Sequence, residues 1–372
     1  MKTIFILIPW FHPAYKGGGP IQSVANLTHQ FTGQLSCKIF TSNLDLDKSI
    51  LNVKTNTWVP YNDSTEVWYF SKKQKFFKTF KREIKNKKTD ILFIIGIYSW
   101  LYNILPIFFY RNTRKIISVS GMLHPGALSQ KRLKKKIYLT LCKFIGIQHM
   151  CDFHASNEEE KVFIQNVFGK NIKIFVAPNF PRHIKFNTPP EKRPGYLKLI
   201  SIALISPMKN HLLILEALSI CERNVEYNIY GPVKDQRYWN NCLELIKKLP
   251  KNILVNYHGD IPPFEVENAL SNNHVFILPS KSENFGHAFY EALSAGKPVI
   301  TSHKTPWNNL RESIAGVNVD TNKSEELIAA IKYFADMNSN EFESWGTGAI
   351  EYCKSAINIE NIKKQHKEMF LL

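Results

Sequence analysis

Cysteine is scarce in this sequence, and the few cysteines are scattered. The six cysteines among 372 residues form no C-x-x-C pair and no cluster with metal-ligand spacing. This spacing excludes a cysteine-based metal site and indicates a reduced, cytosolic chain. The cysteines stand at positions 37, 142, 151, 221, 242 and 353.

Long uninterrupted apolar runs are also missing. The apolar run at residues 4–8 is too short for a signal peptide or a membrane span, so we expect the first central strand of a sheet there. Residues 91–110 carry no charge and are long enough to cross a membrane. Gly96, Asn103 and Pro106 interrupt them, which argues against a single membrane helix.

Acidic residues are few in the first half of the chain. Residues 1–185 contain 28 Lys and Arg against 10 Asp and Glu, whereas residues 186–372 contain 20 against 21. This asymmetry predicts an anionic partner for the first half, either a membrane surface or nucleic acid. No helix-turn-helix, zinc-finger or RNA-binding signature accompanies the charge, so we expect no nucleic acid partner.

Two basic segments concentrate the positive charge, at residues 72–88 and 131–139. Both place aromatic or aliphatic residues at helical spacing among many cations, which is typical of helices that lie in an anionic lipid interface. The alternative is that both are ordinary domain helices, whose apolar side is core and whose charges are solvated.

The length favours two domains, each with its own core. A segment with three prolines and a glycine, at residues 187–195, separates the basic half from the rest and predicts a linker.

The most informative segment runs from 275 to 300. Its first four apolar residues predict a buried strand, which a polar loop follows. We expect a helix to begin near Gly286 and the next strand to begin at Val299. Glu283 in the loop and Glu291 in the helix are separated by seven residues, and carboxylates suit sugar and ribose hydroxyls. The amides of residues 284–288 lie at a helix N-terminus, which favours phosphate. The alternative is a solvated Glu283 and a capping or paired Glu291.

A glycine-rich loop follows the first predicted strand. Three glycines, Gly17 to Gly19, allow a ligand to come close to the backbone. Pro20, which follows them, suits the first turn of a helix.

The triplet Asp45-Leu46-Asp47 matches a metal-nucleotide motif of another fold, but it stands in a polar loop and we do not assign it to a metal.

The segment SENFGHAFYEALSAGKPVI at 282–300 resembles the Glu-x7-Glu signature of retaining family-4 glycosyltransferases of GT-B fold. The resemblance is specific over about residues 197–310 and looser elsewhere. It implies an α/β chain of two doubly wound Rossmann-like domains facing a central cleft. These would be an acceptor-binding domain at 1–185, joined by a returning helix at about 357–372, and a donor-binding domain at 196–356. It also implies a strand at 91–95, followed by a loop and a helix.

The resemblance also implies roles for individual residues. Lys209 matches the lysine that binds the donor diphosphate, whereas Leu204 stands where the family has an arginine. His124 matches a loop that could contact the donor sugar, although a structural histidine is an equal alternative. The catalytic candidates are Glu283, Lys209 and His124, and the donor-binding candidates are Gly18, Gly19, Asn284, Phe285, Gly286, His287, Ala288 and Glu291.

We therefore expect a retaining hexosyltransferase of bacterial lipopolysaccharide O-antigen, capsule or exopolysaccharide synthesis. Its partners would be a nucleotide diphosphate sugar, a lipid-linked oligosaccharide and an anionic membrane surface. The resemblance implies no cofactor and no metal. The expected location is cytoplasmic, on the inner face of the cell membrane. The alternatives are a nucleotide-sugar epimerase of GT-B fold and a non-catalytic protein that binds membrane or nucleic acid.

Overall fold

The computed structural model describes residues 1–71, 76–109, 113–129, 131–185 and 190–372. The chain divides into a first unit, Met1–Phe180 with Ile359–Leu372, and a second unit, Pro181–Asn358. Parts of three segments considered above lie outside the described residues: 72–75 of the first basic segment, Tyr110 of the uncharged segment, and 187–189 of the linker.

The first unit is built around an eight-stranded sheet with the order β3-β4-β2-β1-β5-β6-β7-β8, in which only β3 runs antiparallel to its neighbour. Its elements are β1 (Lys2–Leu7), α1 (Gly19–Gln30), β2 (Leu35–Ser42), β3 (Trp58–Asn62), β4 (Thr65–Phe70), α2 (Phe76–Asn86), β5 (Ile91–Ile95), a π-helical turn (Trp100–Ile104), α3 (Leu105–Phe109), β6 (Arg114–Ser118), α4 (Pro125–Ser129), α5 (Arg132–Phe144), α6 (Ile147–Met150), β7 (Asp152–Ala155), α7 (Glu158–Phe168) and β8 (Ile174–Val176).

The second unit is built around a six-stranded parallel sheet with the order β11-β10-β9-β12-β13-β14. Its elements are β9 (Tyr196–Ile202), α8 (His211–Ser219), β10 (Asn224–Tyr230), α9 (Gln236–Ile246), β11 (Ile253–Tyr257), a 3₁₀ turn (Pro263–Glu265), α10 (Val266–Ser271), β12 (Val275–Leu278), α11 (His287–Ser294), β13 (Val299–Ser302), β14 (Gly316–Val319), α12 (Ser324–Asp336) and α13 (Ser339–Ala356). The last helix, α14 (Ile359–Phe370), belongs to the first unit.

Sequence patterns explain the central strands. The uncharged segment places β5 at Ile91–Ile95, as predicted, and all five of its residues are buried. The four residues of β12 are buried as well. Continuous apolar runs of this kind are typical of parallel strands that are covered by helices on both faces. Within the described part of the chain, no helix combines the length and the apolar character that a membrane span requires.

The strand order of the second sheet determines where a ligand can bind. The chain begins at β9, moves outward through β10 to β11, then returns to the other side of β9 with β12. The order therefore reverses between β9 and β12. In doubly wound sheets, ligands bind outside the carboxyl ends of the strands at this reversal.

Candidate functional site

Lys209 and Glu283 meet at the reversal of the second sheet. Lys209 lies in the loop after β9 and Glu283 in the loop after β12, and the ammonium of Lys209 forms an ion pair with Glu283 Oε1. The hydroxyl of Ser280 donates to the same oxygen at 2.9 Å. A backbone hydrogen bond from Lys281 N to Met208 O, 2.8 Å long, joins the two loops. The sequence predicted both residues, and the structure brings them together.

The start of α11 has a fixed backbone. Gly286 precedes it with φ at 74°, and a Cβ atom there would lie 2.5 Å from the ring of Phe289, so glycine is required. The indole N–H of Trp307 donates to Phe285 O at 2.8 Å and holds the loop from the other side. Within the described residues, the backbone N–H groups of Phe285, Gly286 and Ala288 have no acceptor.

Open amides at a helix N-terminus suit an anion, and we call them the amide cradle. Donor binding by residues 284–288 stays a prediction. His287, the first residue of α11, is not a cation in this cradle. Burial and then the nearby Arg182 lower the pKa of His287 to about 3, so its imidazole stays neutral at physiological pH. The positive side chains near the start of α11 are therefore Lys209, which pairs with Glu283, and Arg182, which pairs with Glu291.

Glu291 is a buried residue of α11. Its Oε1 lies 3.0 Å from Arg182 Nη2, and Arg182 also donates to Pro263 O at 3.1 Å. Burial raises the pKa of Glu291, and the guanidinium of Arg182 opposes that rise. The two predicted carboxylates thus make separate ion pairs, one with Lys209 and one with Arg182.

The sequence analysis missed Arg182. It stands between the last strand of the first unit and the linker, where no motif indicates a site. The only available signal was an isolated arginine next to Pro181.

Leu204 is half-buried just after β9, where the family pattern has an arginine. A second residue that the sequence analysis missed lies beside it. Lys234 N donates to Ile205 O at 3.1 Å, and burial followed by the charge of Lys209 lowers the pKa of Lys234. The loop after β10 therefore brings the backbone of Lys234 next to this position, and the Lys234 ammonium lies near enough to Lys209 for the two charges to repel.

The predicted glycine loop of the first unit leads directly into α1. Gly18 precedes the helix with φ at 73°, and Gly19 is its first residue. Asp45 Oδ2 accepts from the backbone N–H groups of Tyr15 and Lys16 at 3.1 and 3.4 Å. Asp45 thus anchors the glycine loop. Ligand binding by Gly18 and Gly19 stays a prediction.

His124 lies in the loop before α4 of the first unit. Its Nδ1 accepts from Gly126 N at 3.0 Å, and its ring packs edge-to-face on Phe163. These contacts give the histidine a structural role in its own loop, and its contact with a donor sugar stays a prediction.

In the described residues, no group of three or more His, Cys, Asp or Glu side chains is placed to hold a metal ion.

The two basic helices differ in their surroundings. The apolar side of α2 is core: Phe76, Phe80 and Ile84 are buried against the sheet. On α5, four large apolar side chains are exposed on one side of the helix. They are Leu133 (71% exposed), Ile137 (62%), Leu141 (47%) and Phe144 (87%).

Solved structures with this fold cover nearly the whole chain. Sucrose-phosphate synthase from Thermosynechococcus elongatus has a TM-score of 0.73 at 15% identity and covers 100% of this chain and 98% of its own. Anabaena HepE in complex with UDP and glucose has a TM-score of 0.70 at 14% identity, with 100% and 99% covered. WaaG, a glycosyltransferase involved in lipopolysaccharide biosynthesis, has a TM-score of 0.66 at 12% identity, with 95% of each chain covered. The chain therefore has the predicted GT-B fold.

Over part of its length, the amino-acid sequence matches a known family and a relative from Escherichia coli. Residues 184–352, nearly all of the second unit, match the family described as glycosyl transferases group 1. A stretch of 202 residues is 28% identical to UDP-Gal:alpha-D-GlcNAc-diphosphoundecaprenol alpha-1,3-galactosyltransferase of Escherichia coli. That match spans 48% of this chain and 50% of the relative, about half of each. The predicted resemblance to glycosyltransferases is confirmed for these parts of the chain.

Proposed function

We propose that this protein is a retaining family-4 glycosyltransferase that transfers a hexose from a nucleotide diphosphate sugar to a lipid-linked oligosaccharide of O-antigen, capsule or exopolysaccharide synthesis. The observation that carries the proposal is the Lys209–Glu283 ion pair beside the open amides of α11. This arrangement offers a hydroxyl acceptor, a cation and an anion cradle at one sheet edge. A nucleotide diphosphate sugar has the matching groups.

In the transfer, the bond between the anomeric carbon and the diphosphate oxygen breaks, and the diphosphate leaves with the electron pair. The acceptor hydroxyl forms the new glycosidic bond and passes its proton to the departing diphosphate. Lys209 and the amides of residues 285–288 stabilise the developing negative charge on the leaving group. Glu283 accepts hydrogen bonds from the sugar hydroxyls, and Glu291 accepts them from the ribose. No side chain is assigned as a covalent nucleophile, and retention of configuration belongs to the proposal.

The first donors to test are UDP-galactose and UDP-glucose, because the Escherichia coli relative is a UDP-galactose enzyme by name and the Anabaena structure contains UDP and glucose. Purified protein is incubated with each donor, with and without a lipid-linked GlcNAc diphosphate acceptor. We expect E283Q and E291Q each to lower transfer at least about tenfold, since each loses a charge-assisted hydrogen bond to the donor. Glu343→Gln, an exposed change on α13, is the matched control. Unchanged transfer in both site variants refutes the site.

The same assay separates the alternatives. An epimerase converts the donor sugar when no acceptor is present, whereas a transferase needs the acceptor for more than slow hydrolysis. A non-catalytic protein leaves the donor intact. Calorimetry with UDP alone then shows whether the protein binds this nucleotide.

We also propose that α5 is the surface through which the protein associates with the inner face of the cell membrane. The exposed apolar residues of α5 lie on one side of the helix, and Arg132, Lys134, Lys136 and Lys143 are interspersed with them. An apolar stripe among cations suits an anionic lipid interface, where the stripe enters the acyl boundary and the cations meet headgroups. The buried aromatic residues of α2 give that helix no comparable stripe.

A further inference from the structure

A polar cavity lies at the edge of the first sheet where β6, β7 and β8 begin. Its volume is about 460 Å³. Arg114 is the first residue of β6, Asp152 the first of β7, and Lys173 directly precedes β8. Because the three strands are parallel, their amino ends bring these side chains to one edge. The other polar residues of the lining are Thr113, Lys115, Gln148, His149 and Asn171. This edge is opposite the carboxyl ends of the strands.

Lys115 is a buried cation that makes no ion pair with any residue the structure describes. The residue is 5% exposed, and its ammonium donates to Thr113 O at 3.1 Å. In the described ranges, no carboxylate pairs with it. Burial lowers the pKa of Lys115. Buried charges in proteins are normally paired or bound to a ligand, because desolvation of an unpaired charge is costly.

The single acid of the cavity cannot supply the missing charge. Asp152 Oδ2 lies 2.8 Å from Arg114, which also donates to Met369 O at 2.6 Å. Lys173 lies over the ring of Phe175, 5.0 Å from its centroid, and adds a further cation. The lining therefore has three cations against one carboxylate.

Gln148 adds an acceptor to this cationic lining. Its amide nitrogen donates to Lys143 O at 3.1 Å, whereas its Oε1 is buried and receives no hydrogen bond from the described residues. An unsatisfied buried acceptor calls for a hydroxyl or N–H donor. A ligand that fits both features carries a negative charge and a hydroxyl group together.

We propose that this cavity binds a phosphate ester that carries a hydroxyl group, with Lys115 on the phosphate and Gln148 Oε1 accepting from the hydroxyl. Arg114 and Lys173 add positive charge at the rim. Glycerol phosphate has this chemistry, either as a free molecule or as the headgroup of an anionic phospholipid. The headgroup is a realistic source because Gln148 lies in α6, immediately after α5, which ends at the exposed Phe144.

The test compares wild type with K115M and Q148L, and uses K251M, an exposed lysine of the second unit, as the control. Thermal unfolding and calorimetry are run with inorganic phosphate and with glycerol 3-phosphate, and flotation is run with phosphatidylglycerol and phosphatidylcholine vesicles. Each measurement is repeated in a K209M background. K209M should weaken phosphate binding at the proposed donor site, so a phosphate effect whose size K209M leaves unchanged does not arise there.

We expect K115M to fold with an unchanged or higher Tm, because it removes an unpaired buried charge. It should raise the Kd for glycerol 3-phosphate by about tenfold or more. Q148L keeps every cation and should weaken glycerol 3-phosphate more than inorganic phosphate. It tests the proposal even if K115M does not fold.

The two ligand sources give different results. Loss of glycerol 3-phosphate binding in K115M supports a site for the free ester. A preference for phosphatidylglycerol vesicles that K115M and Q148L reduce, with no response to the soluble ester, supports the headgroup. Equal binding by wild type and both variants, or no response to any phosphate ester or anionic vesicle, overturns the proposal.

Discussion

Lys209 and Glu283 form an ion pair although 74 positions separate them in the chain. They meet because β9 and β12 are neighbours in the sheet and both loops leave the same edge. In the proposed complex, the ammonium of Lys209 donates to the diphosphate as well as to Glu283. One carboxylate oxygen of Glu283 accepts from Ser280 and Lys209, and the other accepts from the sugar.

The first prediction concerns Lys209. K209M should raise the Kd for UDP by roughly tenfold to a hundredfold, because it removes a charge-assisted hydrogen bond worth about 1.5–3 kcal/mol. K209R keeps the charge and should recover part of the affinity. Calorimetric titration with UDP measures both, with K251M as the control. Equal affinity of K209M and wild type would show that Lys209 does not contact the diphosphate.

The second prediction concerns the buried pair of Arg182 and Glu291. R182M should lower the free energy of unfolding by about 3 kcal/mol, because it leaves a buried carboxylate without its partner. A carboxyl whose folded pKa is raised binds more protons in the folded state. The stability of R182M should therefore fall as pH rises above the pKa of an unfolded glutamate, about 4.3, more steeply than that of wild type.

Urea unfolding at several pH values measures this dependence. R182M/E291Q should recover most of the loss, because no unpaired charge remains. Additive effects of R182M and E291Q would contradict the pairing.

The third prediction concerns α5. L133S and F144S should each reduce partitioning into phosphatidylglycerol vesicles by roughly tenfold, because each removes apolar area that lipid would cover. Both side chains are exposed, so thermal stability should not change. Phe264→Ser, which alters a residue of the second unit that is 81% exposed, is the matched control. If both variants bind the vesicles as tightly as wild type does, and high salt does not weaken that binding, α5 is not the membrane surface.

Much of the fold followed from the sequence, and the reasons are local. The continuous apolar run of β12 depends on neighbouring residues only, and the structure contains this strand where the sequence predicted it. The strand β5 lies where the family resemblance placed it. The start of α11 was equally predictable, because Gly286 and the residues after it determine the backbone there.

The rest depends on which elements are neighbours in space. Arg182 was missed because its partner, Glu291, is 109 positions away and no periodic pattern connects them. The basic helices α2 and α5 have similar compositions, yet one buries its apolar side and the other exposes it. Amphipathic spacing predicts that one side is apolar but does not show whether another layer of the fold covers it.

The fourth prediction concerns the arginine that the family pattern has at position 204. Lys234 reaches the same sheet edge from the loop after β10 and should supply the second cation for the diphosphate. K234M should therefore raise the Kd for UDP by about tenfold. L204R in the K234M background should restore binding, whereas L204R in wild type should change it little. A K234M variant with wild-type affinity would assign the diphosphate to Lys209 and the amides alone.

The last prediction concerns His366, which is buried in α14 among Phe31, Phe180, Phe370 and His154. Burial and then His154 lower the pKa of His366 to about 3. In the unfolded chain its pKa is about 6.5. Between these values the unfolded state binds the extra proton, so stability is lost as pH falls below about 6.5, by up to about 1.4 kcal/mol per pH unit for this group.

H366F removes this titration and should flatten the dependence of α14 opening on pH between about 6.5 and 5. Hydrogen exchange of α14 peptides, measured across that range by mass spectrometry, reports the opening directly. The comparison uses slopes, because a change in packing alters the stability of H366F at every pH but leaves its slope unaffected. His154 packs against the same ring, and burial also lowers its pKa, so part of the wild-type slope should persist in H366F. An identical slope in both proteins would show that His366 does not stay neutral in the folded first unit.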